Sequence, residues 1–118
     1  MPMSLGQLGE LVAGKLLVAE GFTIVAQNYK CRLGELDLVV RGPAGLMFVE
    51  VKTRSGLGYG QPAESVTRAK QIKLRRLAQY YLWHQRHSLL SPVEFGVVEV
   101  VYNEGRGRYS AHLIRHAF

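Results

Sequence analysis

An α/β domain with a mixed β-sheet flanked by helices is what the sequence predicts, and three observations carry that prediction. Two segments show helical spacing behind an N-capping residue. Five others are β-branched and alternating. Their order is helix, three strands, helix, two strands, which suits a sheet covered on both faces. The 118 residues contain no linker, repeat or low-complexity tract, so 1–118 is read as a single domain.

Ser4 caps a first helix running to about Glu20, with Leu8, Val12, Leu16 and Ala19 as its apolar stripe and Gly21 as its stop. Residues 22–28, FTIVAQN, read as a strand, and CRLG (31–34) turns the chain. ELDLVVR (35–41) and LMFVEVKT (46–53) follow, joined by GPAG, where Pro43 fixes φ at about −65° and suits a type I turn. The glycine-rich stretch 55–62 is expected to be a mobile cover; it lacks the ending of a phosphate-binding loop. Thr67 caps a second helix to about His87, with Leu74, Leu77, Ala78, Tyr81 and Leu82 as its core stripe. Residues 93–102 and 108–114 are strands joined through NEGRG.

The balance of 15 Lys and Arg against 9 Asp and Glu gives a net charge of +6, which favours a polyanionic partner such as nucleic acid. No apolar run approaches the roughly 18 residues of a membrane span, and the first residues lack the pattern of a signal peptide. Cys31 is the only cysteine, which rules out an internal disulfide or a multi-cysteine zinc site and points to the cytoplasm. The four histidines have no metal-binding spacing and read as incidental.

Chemistry enters at FVEVKTR (48–54). Glu50 and Lys52 share a strand face with Phe48. Symmetric pairing about GPAG sets Arg41 opposite Leu46, Val39 opposite Phe48, Asp37 opposite Glu50 and Glu35 opposite Lys52. Leu36, Leu38 and Val40 then lie on the other face with Met47, Val49 and Val51. Two carboxylates about 5 Å apart repel by roughly 3 kcal/mol at an effective dielectric of 20. A shared proton, Lys52 or a hard divalent cation would each relieve that cost. The bland alternative is an ion-pair patch on a solvated face. The apolar neighbours of both acids argue against it, because charges among core residues must be paired or metal-bound.

With Gly34-Glu35-Leu36-Asp37, twelve residues, then Glu50-Val51-Lys52 in view, the chain resembles the PD-(D/E)XK nucleases. More narrowly it resembles the YraN-type family of small predicted bacterial endonucleases, relatives of Holliday junction resolvases. The likeness runs from LGQLGE, with Glu10, to the helix containing Lys70. It implies a restriction-endonuclease-like core (αβββαβ) and a Mg²⁺- or Mn²⁺-dependent endonuclease acting on DNA, including branched or structured DNA. In that reading Asp37, Glu50 and Lys52 are catalytic. Asp37, Glu50, the carbonyl of Val51, and Glu10 hold the metal, although Glu10 could equally be an ordinary exposed helix acid. Glu35 either positions Lys52, joins the metal ligands, or forms a plain salt bridge at the rim. Where the family often carries Asp, this chain has Gly96, so that acid's role is absent or falls to a neighbour such as Glu94. The alternative is a nucleic-acid-binding module on a nuclease scaffold, inactive alone or dependent on a partner.

Nucleic-acid contacts are assigned to Arg54, Lys70, Lys73 and Arg76. Lys70 lies on the core stripe of the second helix, where it either snorkels outwards or reaches the acids or a phosphate. The outer face of that helix carries Lys73, Arg76, Tyr80, Trp83 and His87. Cations interleaved with aromatics suit phosphates beside unstacked bases. A homodimer interface would use the same aromatics.

Overall fold

The computed structural model describes residues 3–55 and 66–118. The glycine-rich stretch read as a cover lies, apart from Ser55, outside the described residues. The elements are α1 (Leu5–Ala19), β1 (Thr23–Cys31), β2 (Gly34–Gly42), β3 (Gly45–Ser55), α2 (Arg68–His84), β4 (Val93–Asn103) and β5 (Arg108–Ile114). They form one five-stranded sheet in sequence order. β1, β2 and β3 are an antiparallel meander, β4 lies parallel to β3 after the α2 crossover, and β5 returns antiparallel. This is the mixed sheet flanked by helices of a restriction-endonuclease-like core.

Both helix starts follow from local chemistry. Ser4 accepts from the Gln7 amide while the Gln7 side chain accepts from the Ser4 amide, a reciprocal capping box. Thr67 accepts from the Lys70 amide at the start of α2.

Each helix covers one face of the sheet. Beneath α2, Leu74, Leu77, Ala78, Tyr81 and Leu82 pack on Leu36, Val39, Phe48, Phe95 and Val97. Those five helical residues are the stripe read from the spacing. Beneath α1, Ala13 and Leu17 pack on Leu38, Val40, Met47, Val49, Val98 and Val100. Each large side chain buried this way contributes about 1.5–3 kcal/mol.

The face of α1 differs from the expected one. Gly9, Ala13, Gly14 and Leu17 are buried, whereas Leu8, Val12 and Leu16 are half-buried and Ala19 is exposed. The helix is rotated by about one residue so that its small residues meet the sheet. Gly9 shows how close the approach is: a Cβ there would lie 1.8 Å from Thr53 Oγ1. That contact fixes the depth of α1, and Glu10 is the next residue.

The β2–β3 register holds as read from Gly42–Gly45 through Arg41–Leu46, Val40–Met47 and Val39–Phe48 to Leu38–Val49. There the ladder stops. The expected pairs Asp37–Glu50 and Glu35–Lys52 do not form. The expected alternation fails at the same place, since Leu36 packs beneath α2 with Val39 while Leu38 packs beneath α1. The cause lies in the neighbouring strand. β1 carries a bulge between Ile24 and Ala26, and Asn28, opposite Asp37 in the β1–β2 register, has φ +50°. β2 separates from β3 two residues beyond the bulge, opposite Asn28, just where the acids begin.

Candidate functional site

Asp37 sits where the two strands part. Its Oδ2 accepts the backbone N–H of Val51 at 2.9 Å, so a side chain joins β2 to β3 where the backbone ladder has ended. The Val51 atom engaged here is thus its amide. Around Asp37 the structure gathers Glu10 from α1 and Glu35 from β2, each offering a carboxylate oxygen, all within 4.8 Å of one another.

Asn28 completes this group. With its amide nitrogen turned towards the acids it donates to Glu35 Oε1 at 2.9 Å and to both oxygens of Glu10 at 3.1 and 3.2 Å. The left-handed backbone of Asn28 is what aims the amide inwards. Sequence reasoning passed over it; the available signal was an Asn, the residue type most tolerant of that conformation, near the end of an alternating strand.

Glu50 lies apart from the trio. Its carboxylate meets Lys70 Nζ at 3.4 Å, with only 12% of the Glu50 side chain exposed. Lys70 therefore reaches an acid from the apolar stripe of α2. Three carboxyls have proton affinities above the ordinary range. Burial raises Glu50, and Asp37 adds to it, against the opposing charges of Lys70 and Lys52. Burial also raises Asp37, with Glu35 adding to it, while the Val51 amide, Lys70 and Lys52 act in opposition. For Glu10 the causes are burial, Asp37 and Glu35, countered by Asn28 and Lys30. Lys52 is thus close enough to bias both Asp37 and Glu50, although it is not beside Glu35 as expected.

The donor set fits a hard divalent cation. Mg²⁺–oxygen distances are about 2.0–2.1 Å and Ca²⁺–oxygen distances about 2.3–2.6 Å, so two oxygens on one ion lie at most about 4–5 Å apart. Glu10, Glu35 and Asp37 already satisfy that spacing. Burial first, and neighbouring acids after it, raise the proton affinities of Glu10 and Asp37, so a cation at this point would offset charge that the protein holds at a cost.

The remaining site assignments fall in different places. Arg54 Nη2 contacts Glu99 Oε1 at 2.6 Å, and Glu99 is a buried acid, 6% exposed, that the sequence reading did not single out. Glu99 stands in register with Lys52 on one side and His112 on the other. Its only signal was an acid in the middle of an apolar strand, the same signal that drew attention to Asp37. Lys73 and Arg76 are exposed on α2, and Lys73 Cε would lie 2.9 Å from a Cβ at Gly34. Lys73 therefore lies against the start of β2, one residue before Glu35.

Gly96 and Glu94 stay out of the site. A Cβ at Gly96 would meet Met47 Sδ at 2.8 Å, a place within the core. Glu94 is held by Arg115 through two bonds of 3.0 and 2.6 Å and by the His116 amide at 3.1 Å. Those contacts pull its carboxyl below the ordinary range, Arg115 first among them. Glu94 pairs with Met47, whereas Glu50 pairs with Val97, so it cannot replace the missing acid. The histidines are more engaged than expected: Tyr29 Oη and His84 Nδ1 lie 2.8 Å apart, and the His87 ring stacks on Tyr81. Among the described residues no helix is long and apolar enough to cross a membrane.

Comparison with known proteins places this arrangement in context. The chain is 46% identical over 114 residues to a UPF0102 protein of Clavibacter michiganensis, covering 96% of this chain and 94% of that one. It is 45% identical over 118 residues to a UPF0102 protein of Symbiobacterium thermophilum, covering 100% and 98%. To a UPF0102 protein of Clostridium botulinum it is 36% identical over 114 residues, covering 97% and 93%. Among solved structures, Pyrococcus furiosus SfsA in complex with Ca²⁺ aligns with a TM-score of 0.40 and 18% identity, over 92% of this chain and 61% of that one. The profile of the uncharacterised protein family UPF0102 matches residues 9–100, which span Glu10, Glu35, Asp37, Glu50 and Glu99. The chain belongs to the UPF0102 family, homologous to the YraN-type small predicted endonucleases.

Proposed function

We propose that the chain is a metal-dependent endonuclease that hydrolyses phosphodiester bonds in DNA, including branched or structured DNA. The observation that carries the reading is the convergence of Glu10, Glu35 and Asp37 on one point, with Glu50 and Lys52 beside it. Glu10, Asp37 and Glu35 would hold Mg²⁺ or Mn²⁺, with Glu50 able to join once it leaves Lys70. The bound ion would lower the pKa of a water and stabilise charge on the phosphate oxygens. Lys52 orients the attacking water or offsets charge on the phosphorane. Lys70, released from Glu50, would meet the phosphate, and Lys73 and Arg76 would continue the cationic track along α2. Arg54 serves the substrate only from within its pair with Glu99.

Calorimetry with Mg²⁺ or Mn²⁺ tests the metal. Binding is expected for the wild type and lost in Asp37→Asn. No heat in either protein would remove the enzyme reading. Nicking of junction, flap and duplex substrates then tests the chemistry, with Lys52→Ala expected to abolish cleavage and retain DNA binding.

A second reading, a nucleic-acid-binding module on this scaffold, has its own support. Asn28 donates to Glu10 and Glu35, and Lys70 pairs with Glu50, so these acids already have partners within the protein. Salt-sensitive DNA binding without metal heat or cleavage is the outcome that favours it.

A further inference from the structure

We propose that the outer face of α2 around Tyr80 and Trp83 is a stacking shelf for an unpaired nucleobase, so that the preferred substrate carries a single-stranded segment next to the cleaved phosphate. This rests on the reading of the chain as a protein that acts on nucleic acid. Four observations support it.

First, the rings are presented outwards and held. Trp83 is 65% exposed, and its ring lies 5.7 Å from that of Tyr80. Tyr80 is in turn 5.7 Å from His84, whose Nδ1 meets Tyr29 Oη. A shelf whose rings are already fixed loses little side-chain freedom when a base stacks on it.

Second, the rings border an open hollow of about 450 Å³ lined by Leu33, Arg76, Gln79, Tyr80, Trp83 and Leu89. Apolar walls suit the faces of a base, and Gln79 offers an amide to its edge. Arg76 supplies charge to the attached phosphate. Among the described residues, no acidic side chain lines the hollow.

Third, charge favours a polyanion over a second copy of the chain. α2 carries five Lys and Arg and no Asp or Glu. A two-fold contact through this face would set Lys73 and Arg76 against their own counterparts without an acid from either helix.

Fourth, the shelf lies on a continuous line with the acids. Lys70 meets Glu50, and Lys73 lies beside Gly34. Arg76, Tyr80 and Trp83 follow at steps of three or four residues. From Lys70 to Trp83 the line covers about 20 Å at 1.5 Å per residue. A strand whose phosphate rests by the acids can therefore follow the cations and lay an unstacked base on Trp83 a few nucleotides away.

Trp83 is the only tryptophan in the chain, so it reports on itself. The experiment titrates full-length protein with a thymidine homopolymer and with a blunt duplex of equal length in EDTA, reading tryptophan fluorescence and sedimentation. Saturable quenching by the single strand is expected, with little change from the duplex. Trp83→Ala should weaken single-strand binding, followed by anisotropy of labelled DNA, roughly five- to hundredfold. Duplex affinity and Tm should stay unchanged. Trp83→Phe should recover most of the loss. Absent quenching, or equal weakening for both DNAs, overturns the proposal. So does self-association that Trp83→Ala dissolves, which would make the shelf a dimer contact. Because EDTA removes the metal, quenching without cleavage in any later assay would sink the nuclease reading and leave the shelf; cleavage without quenching would do the reverse.

Discussion

The carboxylate of Asp37 accepts the Val51 amide while lying within reach of two further carboxylates. The amide bond favours its charged form, but burial and Glu35 outweigh it, so its proton affinity is raised. Glu10 and Glu50 are raised as well, with burial the largest cause for each. An acid whose folded pKa lies above its unfolded value binds more protons in the native state, so stability falls as pH rises from the ordinary carboxylate range through the raised values. Asp37→Asn keeps an oxygen for the Val51 amide and removes the charge. In metal-free buffer near neutral pH, thermal melts should show this variant stabilised by about 1 kcal/mol, or about 3–5 °C. Below pH 4 the gain should vanish. Adding Mg²⁺ should raise the Tm of the wild type and leave Asp37→Asn unmoved. A variant equally stable at both pH values would mean that the trio is already neutralised.

Among the elements, α1 depends on its missing side chains. Gly9 lets the helix touch Thr53, and that contact places Glu10 beside Asn28 and Asp37. Gly9→Ala should cost about 1–3 kcal/mol by overpacking, measured by urea unfolding, even though Ala is the better helix former. Thr53→Ala in the same chain should return part of that loss, because it removes Oγ1 and Cγ2. Additive losses would place the strain elsewhere. The same helix shows what a sequence can convey. Ser4, Thr67, Pro43 and the stripe from Leu74 to Leu82 were legible because each acts through local chemistry or through large apolar side chains at a fixed period. The buried face of α1 was not, because Gly9 and Ala13 carry too little apolar weight to mark it. The hairpin register could be read as far as Leu38–Val49, since the turn and both faces dictate it. Beyond that point the outcome depends on Asn28, whose left-handed backbone in a neighbouring strand no alternation rule foresees. Glu99 was missed for a related reason: its partner Arg54 lies 45 residues away and arrives only through the parallel crossover.

For the molecule as a whole, charge is divided by region. Glu10, Glu35 and Asp37 meet where β2 and β3 part, with Glu50 on Lys70 nearby, while α2 is wholly basic among its ionised side chains. Five of the 15 Lys and Arg fall on α2, with no acid among them. DNA affinity should fall linearly with log salt, and the combined Lys73→Ala and Arg76→Ala substitutions should flatten that slope by about 1.5–2 units. An unchanged slope would put the phosphate contacts on another face.

The parallel pairing of β3 with β4 has a further consequence, for timing. Glu35, Asp37 and Glu50 are joined through the short turns of an antiparallel meander that α1 precedes directly, whereas Leu46 must wait for Val93. Local closures precede distant ones in a folding chain. The carboxylates can therefore converge while Lys70, the partner of Glu50, still belongs to an undocked segment. A half-made molecule would pass through a moment of concentrated negative potential, and that is when a stray cation would find its easiest welcome.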